Sequence, residues 1–282
     1  MEKIKVSELF YSIQGEGKYV GVPSIFLRTF GCNFKCAGFG MPKGQLSEER
    51  YKVAEFIDSY KDYKSLPLVS TGCDSYASWD PNFKHLSHYY STTDIVNSIM
   101  DLLPNRGWQD EHLVITGGEP LLGWQRAYPE LLSHLNMSNL KELTFETNGT
   151  QNITDSLSIY LWNWRRNRAP DAITFSVSPK LSVSGEKWEN AIRPDVISQY
   201  KTYGFVYLKF VVATKEDVIE AEQAVDEYRK KGFTGPVYLM PVGGVVDTYR
   251  MNARTVAELA ISKGWRYSDR LHVNLWKNAW GT

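Results

Sequence analysis

The chain has 282 residues, 43% hydrophobic and 23% charged, with 32 Lys+Arg against 32 Asp+Glu. That is the composition of a folded chain with a buried core, not of a disordered one. Zero formal charge leaves no footprint for general nucleic-acid or anionic-membrane binding, no apolar run approaches the ~20 residues of a membrane span, and the start Met-Glu-Lys-Ile-Lys lacks a signal h-region.

In chain order, apolar runs rich in Val, Ile and Phe predict strands at 24–30, 113–116, 142–147, 172–177, 206–212 and 237–240. Helical periodicity predicts helices at 93–103, 127–135, 156–167, 216–231 and 252–263. Ser91, Thr92 and Thr93 before Asp94 read as a helix start, and Gly232 and Gly264 as helix stops. Such alternation implies parallel strands with crossover helices, in an open doubly wound sheet or a complete or partial barrel. In either, reactive groups collect on the loops after the C-terminal strand ends. The repeat lapses between Ala37 and Gly72. Residues 47–64 are expected to form one amphipathic helix, with Tyr51, Ala54, Phe56 and Ile57 near one face. Residues 37–72 read as an insertion in a single domain spanning 1–282.

The three cysteines, Cys32, Cys36 and Cys73, are an odd count, which argues against a disulfide framework. Three thiols can instead serve one metal centre and leave a coordination position open. Gly31-Cys32-Asn33-Phe34-Lys35-Cys36 follows a strand directly, and a Cys-x3-Cys loop suits soft metals and iron–sulfur clusters. Zinc is the alternative, completed by Cys73 and either His85 or His88. Upstream, Gln14-Gly15-Glu16-Gly17 precedes Gly21-Val22-Pro23 and Arg28. A dinucleotide fingerprint would need glycine where Val20 stands, so the stretch is either a tight turn or a polar loop facing a ligand. Thr116-Gly117-Gly118-Glu119-Pro120 ends the next strand, its glycines permitting close backbone approach and Glu119 offering an acceptor for an ammonium group. Glu146-Thr147-Asn148-Gly149-Thr150 and Ser176-Val177-Ser178-Pro179-Lys180 end the two after that. Any one of these is ordinary turn chemistry. Their occurrence at four successive strand ends marks a site.

Together these stretches resemble the radical S-adenosylmethionine (SAM) superfamily, and within it the 7-carboxy-7-deazaguanine synthase family. Tyr11–Gly17, Gly21–Arg28 and Gly31-Cys32-Asn33 are similar to its N-terminal signature, Thr116–Pro120 to its SAM loop, and Glu146–Thr150 and Ser176–Lys180 to its later cofactor contacts. Leu208-Lys209-Phe210-Val211-Val212 resembles a further family strand, and His272 sits where the family has a histidine. The family's usual Cys-x3-Cys-x2-Cys would place a cysteine at Phe39. Cys73, in Gly72-Cys73-Asp74-Ser75-Tyr76, aligns with the third ligand instead, giving Cys-x3-Cys-x36-Cys, and Ser75 stands where the family has a threonine.

The resemblance implies an α/β fold, a partial (βα) barrel of the radical SAM type with a helical insertion in the cluster-binding loop. It implies a [4Fe-4S] cluster on the catalytic Cys32, Cys36 and Cys73, and SAM against Gly117, Gly118, Glu119, Asn148, Ser176, Ser178 and Lys180. It places a pterin against Ile13, Gln14, Gly15, Glu16, Arg28, Thr116 and His272, and Mg2+ on Ser75. The implied reaction contracts the ring of 6-carboxy-5,6,7,8-tetrahydropterin to 7-carboxy-7-deazaguanine with loss of ammonia. A flavodoxin- or ferredoxin-type electron donor, a homodimer and a cytoplasmic location follow from it, with no direct nucleic-acid or membrane partner. Two other readings are a glycyl-radical-enzyme activase of the same superfamily and a non-enzymatic, zinc-stabilised interaction domain.

Overall fold

Nine strands form one sheet in the computed structural model, which describes residues 1–282. They are β1 (Lys3–Ile13), β2 (Pro23–Thr29), β3 (His88–Ser91), β4 (His112–Gly117), β5 (Leu143–Thr147), β6 (Ile173–Val177), β7 (Phe205–Val212), β8 (Val237–Pro241) and β9 (Arg266–Tyr267). The helices are α1 (Glu49–Ala54), α2 (Thr92–Leu102), α3 (Tyr128–Leu132), α4 (Asp155–Arg165), α5 (Trp188–Ala191), α6 (Pro194–Tyr200), α7 (Lys215–Lys230), α8 (Val246–Lys263) and α9 (Leu271–Trp276). The spatial order is β3-β1-β2-β4-β5-β6-β7-β8-β9. β1 runs antiparallel to β2 and β3, while β2 and β4 to β9 are parallel. None of the helices is long and apolar enough to cross a membrane.

Period-two alternation sorts the side chains of the parallel strands. Ile25, Leu27, Leu113, Ile115, Leu143, Phe145, Ile173, Phe175, Leu208 and Leu239 join the main core. Ile95, Val96 and Ile99 of α2, Leu157 and Leu161 of α4, and Val218, Ala221 and Val225 of α7 belong to the same core. The alternate positions, including Phe26, Arg28, Thr116, Glu146, Ser176, Lys209 and Met240, line a cavity on the other face. The sheet has two free edges, yet it curls. Gly17 N–H donates to Ser268 Oγ at 2.9 Å, joining the segment after β1 to the segment after β9. The result is an incomplete barrel. Below the cavity, Tyr19 plugs the N-terminal strand ends, its hydroxyl 3.0 Å from Thr174 Oγ1 and its ring 4.3 Å from that of His112.

Helix punctuation follows the sequence. Ser91 and Asp94 form a capping box on α2, and Thr214 and Asp217 one on α7. Gly264 ends α8 in the left-handed conformation. The expected helix over 47–64 does not form as one unit. Only α1 is helical, followed by 3-10 turns at Ile57–Ser59 and Tyr63–Ser65. Phe56, Ile57, Tyr60 and Tyr63 alternate with Ser and Asp, residues that restrict the side chain or compete for backbone hydrogen bonds in a helix. Half of the expected apolar face survives: Ala54 and Ile57 pack inward, while Tyr51 and Phe56 are exposed. The insertion instead buries Val53, Tyr63, Leu66 and Val69 in a small second core with Tyr76, Trp79 and Phe83. Trp280 seals that core, its Nε1–H donating to Leu66 O at 2.8 Å and its ring edge-on to Tyr63 at 4.7 Å.

Candidate active site

Cys32 and Cys36 sit on the loop after β2, and Cys73 on the far end of the insertion. All three are free thiols and all three line the cavity. The insertion does not separate them in space, because its base is pinched shut. Ser47 N–H donates to Ala37 O and Gly72 N–H to Phe39 O, both at 2.7 Å. Burial pushes the Cys32 thiol up to about 12 and the Cys73 thiol up to about 11, and raises Cys36 well above its usual value. Lys180 opposes that shift at all three. A cationic metal centre supplies the missing positive charge and deprotonates such thiols on coordination. No three His, Cys, Asp or Glu side chains are close enough to share a single ion. Three thiols on one cavity wall are the ligand type of an iron–sulfur cluster. The four-ligand zinc set lacks its histidine. His85 and His88 are exposed and contribute nothing to the cavity wall.

The loop after β4 packs directly on the cysteine loop. Glu119 N–H donates to Gly31 O at 2.7 Å, and a Cβ on Gly118 would lie 2.7 Å from Cys32 Cβ, so only glycine fits. Glu119 itself is fully buried and outside the cavity wall. Its carboxylate accepts from Leu121 N–H at 3.0 Å, Thr147 Oγ1 at 2.8 Å and Asn148 N–H at 2.7 Å, binding the β4 loop to the β5 loop. Asn148 reaches the cysteine loop in turn, its Nδ2 donating to Asn33 Oδ1 at 2.9 Å. Lys180 Nζ donates to Ser178 O at 2.9 Å and lies 3.0 Å from its Oγ.

The opposite wall is a chain of charges. Gln14 Nε2 donates to Glu146 Oε1 at 3.0 Å, and Gln14 Oε1 accepts from Glu16 N–H at 3.0 Å. Glu16 pairs with Lys209 and, at 3.0 Å, with Arg270, whose other arm binds Asp74 at 2.6 Å. Burial works to raise the Glu16 carboxyl, but the Lys209 and Arg270 cations hold it well below the carboxylate range. His272 lies against Gly15, 3.9 Å from Glu16 Oε1; burial and then Arg270 push it down to about 4, so it is neutral near pH 7. Arg28 Nε binds Glu8 at 3.0 Å, and its Nη1 donates to Ser75 Oγ at 3.2 Å.

No family model matches the chain. It is 32% identical to a 7-carboxy-7-deazaguanine synthase of Halobacterium salinarum, over 98% of this chain and 91% of that protein. The chain belongs to the 7-carboxy-7-deazaguanine synthase family. A synthase of Pyrobaculum aerophilum is 29% identical over 99% of this chain and 97% of its own length. In fold the chain is similar to the crystal structure of QueE from Escherichia coli, with a TM-score of 0.54 at 20% identity, covering 96% of this chain and 95% of that one. The sheet is thus the partial barrel of radical SAM synthases, and family membership sets aside both the activase and the interaction domain.

Against the residues singled out in the sequence, the cavity brings together Ile13, Gln14, Gly15, Glu16, Arg28, Thr116, Gly117, Gly118, Asn148, Ser176, Ser178, Lys180 and His272 with the three cysteines and Ser75. Glu119 alone lies behind the wall. Sequence reasoning missed Glu8 and Arg270 as parts of the wall, named Glu146 only within its strand-end motif, and treated Lys209 only as part of a strand. Lys209 carried a signal, being a charge between Leu208 and Phe210 in an apolar run. Arg270, two residues before His272, carried none.

Proposed function

We propose that this chain converts 6-carboxy-5,6,7,8-tetrahydropterin to 7-carboxy-7-deazaguanine and ammonia. The observation that carries the reading is the meeting, in one cavity, of three free thiols with a carboxylate–guanidinium wall. Cys32, Cys36 and Cys73 would hold a [4Fe-4S] cluster, which when bound supplies the electron that activates SAM. The chain itself binds and orients. The backbone at Gly117 and Gly118, beside Cys32, suits the methionine end of SAM, with Asn148, Ser176, Ser178 and Lys180 along the wall beyond. Glu119 would act from behind, fixing the two loops rather than meeting the ammonium group.

Glu16, kept ionised by Lys209 and Arg270, is an acceptor for the donor edge of a pterin. Gln14, Gly15, Ile13 and Thr116 would complete that pocket, with neutral His272 behind Gly15. Arg28 suits the substrate carboxylate through a charge-assisted pair. Mg2+ at Ser75 belongs to this reading, with the Ser75 hydroxyl and the Asp74 carboxylate, 3.3 Å apart, as oxygen donors. A flavodoxin- or ferredoxin-type donor, a homodimer and a cytoplasmic location complete it, with residues 1–282 as one domain carrying the 37–72 insertion.

Anaerobic reconstitution with iron and sulfide, then reduction with SAM and the carboxy-tetrahydropterin, tests the proposal by mass spectrometry. Product carrying the mass of 7-carboxy-7-deazaguanine, lost in Cys73→Ala, is the expected outcome. A reconstituted, SAM-cleaving protein that leaves the pterin unchanged refutes the substrate.

A further inference from the structure

The Cys36 backbone lies in the left-handed region, φ 48°, which residues bearing a Cβ disfavour. One carboxylate oxygen meets the amides of that strained turn. Glu186 Oε1 accepts from the backbone N–H of Lys35 and from that of Cys36, each at 2.8 Å. Glu186 belongs to the loop after β6, whose shape is set on its own terms: Glu186 N–H donates to Ser184 Oγ at 3.2 Å, and Ser184 Oγ–H to Leu181 O at 2.6 Å. The two loops also meet backbone to backbone. Gly38 N–H donates to Ser184 O at 2.9 Å, and a Cβ on Gly38 would lie 2.6 Å from Gly185 N. The same β6 loop carries Lys180, so charges of opposite sign flank the thiols from one segment.

We propose that Glu186 is a positioning residue for the cluster, holding Cys36 in its left-handed conformation and placing a negative charge beside that ligand so that the cluster's reduction potential stays low. The inference rests on the reading of Cys32, Cys36 and Cys73 as cluster ligands. Reduction adds an electron, and a neighbouring anion opposes it, which is one of the recognised levers on iron–sulfur potentials. Few side chains combine both effects, since an amide oxygen accepts the same hydrogen bonds without the charge.

That difference makes the test. The full chain, Glu186→Gln, Glu186→Ala and Glu186→Asp are reconstituted anaerobically and compared for iron and sulfide content, rate of iron loss to a chelator, and midpoint potential. Glu186→Gln is expected to keep its iron and show a raised potential. Glu186→Ala is expected to lose iron about tenfold faster, and Glu186→Asp to recover part of that loss. An unshifted potential in Glu186→Gln overturns the electrostatic half, and an unchanged rate of iron loss in Glu186→Ala the positioning half. Unmutated protein that takes up no cluster overturns the ligand reading itself, before any variant is compared.

Discussion

Arg270 binds Asp74 at 2.6 Å while its Nε lies 3.0 Å from Glu16. Asp74 is the residue after the third thiol and Glu16 belongs to the opposite wall, so one guanidinium couples the two halves of the cavity. Replacing it by Met leaves two half-buried carboxylates with a lost partner, a change that costs about 1.5–3 kcal/mol, the worth of a hydrogen bond to a charged group. Arg270→Met is therefore expected to lower the urea midpoint by that equivalent and to raise KM for the pterin. Arg270→Lys is expected to restore little, because an ammonium cannot span both carboxylates as the fork does. Unchanged KM in both variants would remove Arg270 from the site.

Glu119 should act on stability rather than on chemistry alone. Its oxygens face three donors, and Glu119→Gln turns an amide NH2 toward one of them. Leaving a buried donor unsatisfied costs about 1–3 kcal/mol, a loss that denaturant unfolding of the cluster-free protein will register. Wild-type stability in that protein would contradict the tie between the β4 and β5 loops.

Gly118→Ala separates packing from ligation. The added methyl would lie 2.7 Å from Cys32 Cβ, so the cysteine loop must shift. The expected result is a folded protein that takes up less iron on reconstitution. Full iron content, measured by colorimetric assay, would show that the loop yields without cost.

Acid should destabilise the fold through two histidines. Burial lowers His272 from 6.5 to about 4 and His112 from 6.5 to about 3. The unfolded chain then binds these protons at higher pH than the folded one, so stability is full above pH 6.5 and falls as pH drops through that window. Urea midpoints measured across the window should decline, and His272→Asn should flatten the upper part of the curve. A midpoint insensitive to pH there would contradict both shifts.

The parallel strands were legible because each is an apolar run: the expected 24–30 and 113–116 differ from β2 and β4 by a residue or so at each end. β1 escaped notice although it is the longest strand, because Lys3, Lys5, Ser7 and Glu8 break its apolar pattern. Glu8 does so for a reason, since it faces Arg28 inside the cavity. β3 and β9 are too short to register, and α8 begins at Val246, ahead of the expected 252. The site divides the same way. Motifs at strand ends were visible as local strings, whereas Glu16–Lys209 and Glu16–Arg270 join residues 193 and 254 positions apart, a relationship only folding creates. Glu119 shows the reverse limit: the string was read, but its side chain turns away from the cavity its backbone lines up with.

The pinched base of the insertion has a consequence for how such chains can vary. Ala37 meets Ser47 and Phe39 meets Gly72, so two points far apart in sequence lie side by side, and whatever polypeptide joins them leaves the thiols where they are. The segment is a cassette. A replacement of another length is expected to be tolerated if it still covers Tyr76 and Trp280, because loop closure grows costlier only slowly with length. On the reading of Cys73 as the third ligand, the spacing between the second and third cysteines need not obey a fixed motif, and the segment between them is a convenient place to splice in a foreign module.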